Sequence, residues 1–234
     1  MSTHHVGTPK RSAYFREEHE LLKAQIRRFV EEEIKPYALQ WEQDGMVPRD
    51  VLRRMGELGF LGIRYSAEYG GSNMDTLATV VLAEELGRST FSGVAITVLV
   101  HTDMASVHLY NAGSQALKDH FMPDVIAGKK IVAVGVTEPG AGSDVKGIRT
   151  TARREGDGYV LNGTKMFITN GVHADLYCIA AVSSPDARPS QRLSMFLVEK
   201  GTPGFRVGRD LDKQGWRSSD TAELLFEDCR IPAT

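Results

Sequence analysis

The sequence predicts an α+β chain: an N-terminal all-α helical bundle followed by an antiparallel, β-barrel-like unit. Two observations carry that prediction. From about Phe15 to Gly128 the apolar residues recur at helical spacing, and beyond Gly128 they fall into short β-rich runs separated by turn residues. The change of period divides the chain into a helical domain over 1–130 and a β-domain over 131–234.

Leu22, Ile26, Phe29, Val30 and Ile34 form the first apolar stripe, which Pro36 is expected to end or kink. Gly45 and Pro48 mark a break, and a second helix is expected from about Arg49 to Leu58. Gly70 and Gly71 punctuate the next loop, after which Thr76–Leu86, Gly93–Asn111 and Gln115–Ala127 are the helical candidates. The run from Gly93 to Val100 is apolar nearly all round, as suits a helix buried in a bundle. Strands are expected at Ile131–Val136, Tyr159–Leu161, Met166–Thr169, Tyr177–Val182, Leu193–Val198 and Glu223–Phe226. Gly156, Asp157 and Gly158 read as a hairpin connection, Asn162 and Gly163 as a second tight turn, and Ser183–Gln191 as an exposed loop.

The chain is 41% hydrophobic with a formal net charge of −2 and no basic block, so nucleic acid is not an expected partner. No apolar run reaches the roughly eighteen residues a membrane span needs, and Met1–Lys10 lacks an apolar leader core. A soluble, cytoplasmic protein is expected. Cys178 and Cys229 lie in apolar strand contexts without CxxC spacing and read as buried thiols of a reducing compartment. His4 and His5 adjoin without a second ligand cluster. His101, Asp103 and His108 fit capping, core bonding or channel lining better than a metal site, so no metal is expected.

The chemistry concentrates in two segments. In Val134–Asp144, VGVTEPGAGSD, a β run ends at Thr137, Glu138 and Pro139 and meets Gly140, Ala141, Gly142 and Ser143. Glycines let the main chain approach an anion closely, and successive N–H groups can converge on it. On the local pattern alone a plain strand connection outweighs a phosphate site, and neither the GxxxxGK[ST] nor the GxGxxG spacing is present. The second segment, Leu161–Gly171, LNGTKMFITNG, places the aromatic Phe167 near the hydroxyl of Thr169, a pairing that suits a planar ring with a polar edge. Standing alone, it reads as an ordinary strand.

Together, in this order and at this spacing, the two segments resemble the acyl-CoA dehydrogenase family. The resemblance continues through Trp41–Gly71, with GELGFLGIRYSAEYGG, similar to the family's N-terminal helical segment and loop, LAEELG at Leu82–Gly87 and KQGWRSSDTAELLFEDCRIP at Lys213–Pro232, the last resembling the strand that closes the family's middle β-domain. It implies an FAD cofactor. By similarity, Val134, Val136 and Thr137 line and hydrogen-bond the pyrimidine side of the flavin, and Gly142 and Ser143 approach its pyrophosphate. Ser143 also touches the carrier arm of acyl-CoA. Phe167, Ile168 and Thr169 face the ring, with Thr169 near the hydride-accepting nitrogen. Many members have Trp where this chain has Phe167, and Phe at that position slightly favours the long-chain-type branch.

The implied reaction is α,β-dehydrogenation of an acyl-CoA to its trans-enoyl-CoA in fatty acid β-oxidation, with electrons passed to an electron-transfer flavoprotein. The family's carboxylate base belongs to a C-terminal helical domain expected to be missing here, so no catalytic residue is assigned; Glu138, Glu84 and Glu85 read as structural or surface charges. Homodimers or homotetramers are expected of the full-length form, and the faces that the missing helices would cover are expected to be apolar and exposed. Two other readings remain open: a split chain, inactive without a partner supplying the C-terminal helices, and an oxidase or nitroalkane-oxidising relative.

Overall fold

The structure, a computed structural model, describes residues 13–233, so His4 and His5 lie outside the described residues. Helix α1 (Glu17–Phe29) carries Glu17, Glu18 and Glu20 in its first turn, where the positive end of the helix dipole favours them. A π-helical turn, Val30–Ile34, joins it to α2 (Lys35–Asp44). Pro36 therefore does not end the helix: it sits in the first turn of α2, where the wide turn before it absorbs the missing N–H, and the chain leaves the helix only at Gly45, φ 79°. Helix α3 (Arg49–Glu57) follows, then α4 (Thr76–Gly87), capped by the Asp75 carboxylate, which accepts from Leu77 N at 3.0 Å and Ala78 N at 3.3 Å. The expected helix over Gly93–Asn111 is present as α5 (Ser92–Leu99), a π-helical segment Val100–Ala105, and α6 (Ser106–Ala112). Helix α7 (Gln115–Ile126) completes the helical part. No described helix is long and apolar enough to cross a membrane.

Among the described residues seven strands follow: β1 (Val132–Gly135), β2 (Thr151–Glu155), β3 (Gly158–Thr169), β4 (Leu176–Val182), β5 (Leu193–Glu199), β6 (Phe205–Asp210) and β7 (Thr221–Pro232). They form one sheet ordered β1-β4-β2-β3-β7-β6, with β5 also paired to β4. The sheet is mostly antiparallel, as expected, but β1 runs parallel to β4, from Val132 opposite Leu176 to Gly135 opposite Ile179. The long β2–β3 excursion between them supplies the return path that a parallel pair requires. Asn162 and Gly163 are not a turn. They lie within β3, where the register with β7 shifts between Leu161 and Gly163. Asn162 closes the irregularity, accepting from Asp228 N at 2.9 Å and donating to Asp228 Oδ1 at 3.1 Å. Gly163, φ 150°, is required there because a Cβ would lie 2.4 Å from the Thr150 hydroxyl.

The helices and the sheet share one apolar core, in which Ile26, Phe29 and Leu82 are buried with Leu161, Leu224 and Phe226. Polar latches hold the seam. Arg49 grips Asp175 through two hydrogen bonds, at 2.9 and 3.1 Å, while the same carboxylate accepts Ile131 N at 2.8 Å. His101 lies wholly inside: Val132 N donates to its Nδ1 at 3.1 Å, so Nε2 carries the proton and donates to Val125 O at 3.1 Å. It is a core-bonding histidine, and burial pushes its pKa down to about 4. Cys178 and Cys229 are free and buried, and burial pushes their thiols up to about 12 and about 11.

Candidate functional site

Strand β1 ends at Gly135, and the chain turns back on itself through a small bridge in which Glu138 N donates to Ala141 O at 2.9 Å and Ala141 N to Glu138 O at 3.1 Å. Pro139 and Gly140 form the corner, where fixed φ and absent Cβ suit a tight turn. The loop beyond is open. Gly140, Gly142 and Ser143 are exposed, and a Cβ built on either glycine would meet nothing within 4 Å. Among the described residues, the N–H groups of Thr137, Gly140, Gly142 and Ser143 donate to no protein acceptor. A short run of unpaired donors beside bare backbone fits a phosphate or pyrophosphate.

The second segment is shaped by a bulge. Between Lys165, opposite Leu224, and Ile168, opposite Ala222, β3 has one residue more than β7. The extra residue breaks strict alternation, so Lys165 and Ile168 both point inward and Phe167 is thrown out. Phe167 takes φ 59°, a left-handed conformation in which a bulky residue stores about 1–3 kcal/mol of strain, and its ring is 62% exposed. An aromatic face held out against its backbone preference suits a stacking partner. Thr169, half-buried, ends the strand. Asn170 then fastens this end of the sheet to α5 by donating to Thr97 O at 3.0 Å.

The fold brings the two segments together. Met166 N donates to Thr137 O at 2.8 Å. Lys165 Nζ donates to Val136 O at 3.1 Å and to Glu138 Oε1 at 2.8 Å, and the Glu138 carboxylate also accepts Thr150 N at 2.9 Å and Arg149 N at 2.7 Å. Burial alone would raise Glu138, but the hydrogen bonds from Lys165, Thr150 and Arg149 outweigh it and hold the carboxyl below its ordinary range. Burial pushes Lys165 down, with Glu138 pulling against it.

Of the residues singled out in the sequence, Thr137, Gly142, Ser143, Phe167 and Thr169 stand around this junction with side chain or backbone accessible. Val136 packs beside it against Ala141 and Ile148. Val134 turns its side chain to the cluster containing Leu176 and Val100, and the Ile168 side chain is in the core, while the backbones of both pair within the sheet. Lys165 was missed by sequence reasoning; a lysine in an apolar strand, with a glutamate in the other motif, is the signal that was there to find. A cavity of about 500 Å³, lined by His108, Phe121, Tyr159, Phe196 and Arg230 among others, opens elsewhere, between the α6–α7 corner and the sheet; none of the expected flavin-site residues lines it, and His108 fits the channel-lining reading.

Comparison with known proteins accounts for almost the whole chain. Residues 16–129 match the profile described as "Acyl-CoA dehydrogenase, N-terminal domain", and residues 133–229 the one described as "Acyl-CoA dehydrogenase, middle domain". The chain belongs to the acyl-CoA dehydrogenase family. It is 43% identical over 220 residues to the mitochondrial long-chain specific acyl-CoA dehydrogenase of Mus musculus, covering 94% of this chain and 51% of that protein. The crystal structure of an acyl-CoA dehydrogenase from Geobacillus kaustophilus superposes with a TM-score of 0.88 at 41% identity, over 95% of this chain and 58% of the other. A glutaryl-CoA dehydrogenase from Mycobacterium smegmatis, solved in complex with FADH2, gives 0.86 at 33% identity, over 94% of this chain and 55% of the other. The chain spans about half the length of the curated relatives it matches. Both Glu138 carboxylate oxygens are engaged by donors from Arg149, Thr150 and Lys165.

Proposed function

We propose that this chain supplies the flavin-facing half of an FAD-dependent acyl-CoA dehydrogenase that converts an acyl-CoA thioester to its trans-enoyl-CoA. The observation that carries the reading is the junction at Thr137 and Met166, which sets a run of unpaired N–H donors beside an exposed, strained aromatic. In this reading Gly142 and Ser143 bind the FAD pyrophosphate, and Ser143 also meets the acyl-CoA carrier arm. Val134, Val136 and Thr137 present backbone to the pyrimidine edge. Phe167 stacks on the ring, the Ile168 backbone borders it, and Thr169 hydrogen-bonds near the hydride-accepting nitrogen. Bound there, the flavin would supply the hydride acceptor of α,β-dehydrogenation. The chain's own share is to hold the ring, orient it and keep water from one face.

The division into domains at residues 130 and 131, an electron-transfer flavoprotein as acceptor and a homo-oligomeric full-length form belong to the same proposal. A reducing compartment such as the cytoplasm fits the free thiols Cys178 and Cys229. The alternative reading is a chain that acts only with a partner supplying C-terminal helices. The test is optical: purified chain is mixed with FAD, freed of excess and scanned before and after acyl-CoA. A retained flavin band that bleaches supports the first reading, a colourless chain that takes up flavin and bleaches only with C-terminal helices added supports the second, and a protein colourless in both cases overturns both.

A further inference from the structure

Lys165 is completely buried, and its ammonium spends its hydrogen bonds on the other segment of the site: on Val136 O at 3.1 Å and on Glu138 Oε1 at 2.8 Å. Neither Lys165 nor Glu138 is given a flavin contact in the reading above. The peptide between Val136 and Thr137 is planar and trans, so its C=O and N–H point to opposite sides. With the carbonyl drawn inward to Lys165, the unpaired Thr137 N–H is driven outward. At the other end of the loop, Arg149 N and Thr150 N close on the same Glu138 carboxylate. One ammonium–carboxylate pair therefore fixes where the loop leaves the sheet and where it returns, and Pro139–Ser143 is left projecting between the anchors.

Stability alone is a poor account of this pair. Replacing a buried ion pair by neutral groups of similar shape is often harmless, whereas removing one member leaves an uncompensated charge. What neutral groups cannot reproduce is the pull on the Val136 carbonyl. We propose that Lys165 and Glu138 are positioning residues, a clamp that presets the Thr137 N–H and the glycine loop before the flavin arrives; the proposal rests on the flavin reading of the site.

The experiment compares FAD affinity, the absorbance band of bound FAD and thermal stability in wild type, Lys165→Met, the double variant Glu138→Gln/Lys165→Met, and Arg27→Met. The last breaks an ion pair between α1 and α4, where the half-exposed Arg27 Nη2 meets the buried Glu85 at 2.7 Å. Lys165→Met is expected to lose both stability and affinity. The double variant is expected to regain most of the stability while still binding FAD about tenfold more weakly or worse, with an altered flavin band, because preorganisation is lost. Arg27→Met is expected to melt earlier and bind FAD as wild type does. Should Lys165→Met fail to fold, the double variant decides alone. Wild-type affinity in the double variant, or an equal loss in Arg27→Met, overturns the clamp. A wild-type chain that takes up no flavin, alone or with C-terminal helices added, overturns the flavin reading itself, and the clamp with it.

Discussion

Two stretches meet at the Thr137–Met166 hydrogen bond, and they are built in opposite ways. The stretch after β1 is open: Gly140, Gly142 and Ser143 are exposed, a Cβ on either glycine would meet nothing within 4 Å, and their N–H groups find no protein acceptor. The stretch in β3 is crowded: Gly163 is packed against Thr150, Lys165 and Ile168 are buried, and Phe167 is forced out by a bulge. An open loop accommodates a charged, irregular group such as a pyrophosphate, while a platform pinned by its neighbours holds a flat ring at a fixed height. The division of labour follows from where the backbone hydrogen bonds go: into β7 for the platform, while in the loop the Gly140, Gly142 and Ser143 N–H groups find no protein acceptor.

Glycine substitutions break this comparison most severely where the platform is tightest. Gly163→Val combines a close approach to Thr150 with φ 150° and is expected to cost about 3 kcal/mol in urea unfolding. A loss well under 1 kcal/mol would show that β3 is not pinned as described.

Acid offers a second probe, of the seam that carries β1. His101 must stay neutral to accept Val132 N, so its pKa in the fold, about 4, lies below the ordinary 6.5. The unfolded chain then binds more protons between those values. Stability from His101 is complete above about pH 6.5 and is lost as pH falls towards 4, an expected loss on the order of 3 kcal/mol. Glu138, held below its ordinary 4.5, contributes only at still lower pH. Denaturant titrations across this range on wild type and His101→Gln check it: the variant's curve is expected to be flatter between pH 6.5 and 4.

Phe167→Gly sharpens the comparison by removing strain without removing a core contact. Glycine adopts positive φ freely and the lost ring is exposed, so stability is expected to rise by about 1 kcal/mol while flavin binding falls. Lower stability would mean that the ring packs on the protein. The smallest effect belongs to the loop. Gly142→Ala is expected to change unfolding free energy by less than about 0.5 kcal/mol, because its Cβ meets nothing, yet to weaken FAD binding by crowding the anion.

Much of this was legible in the sequence, for physical reasons. The switch from helical to strand period after Gly128 is a local signal, as is the Pro139–Gly140 corner, and both stand in the fold. Strands β2 and β6 escaped notice because TARRE and FRVGRD carry arginines on exposed positions and show little apolar alternation. The Asn162–Gly163 pair was misread because a bulge and a turn use the same residues, and only the register with β7 separates them. The parallel pairing of β1 with β4 and the meeting of Lys165 with Glu138, 27 positions apart, are set by topology and lie beyond any local pattern.

The central claim is that a flavin sits where the open loop meets the bulged strand, and amide chemical-shift mapping of the labelled chain during FAD titration tests it directly. The account predicts that the largest shifts fall on Thr137, Gly140, Gly142, Ser143 and Phe167. Shifts concentrated instead around His108, Phe196 and Arg230, at the cavity beside the α6–α7 corner, would contradict it.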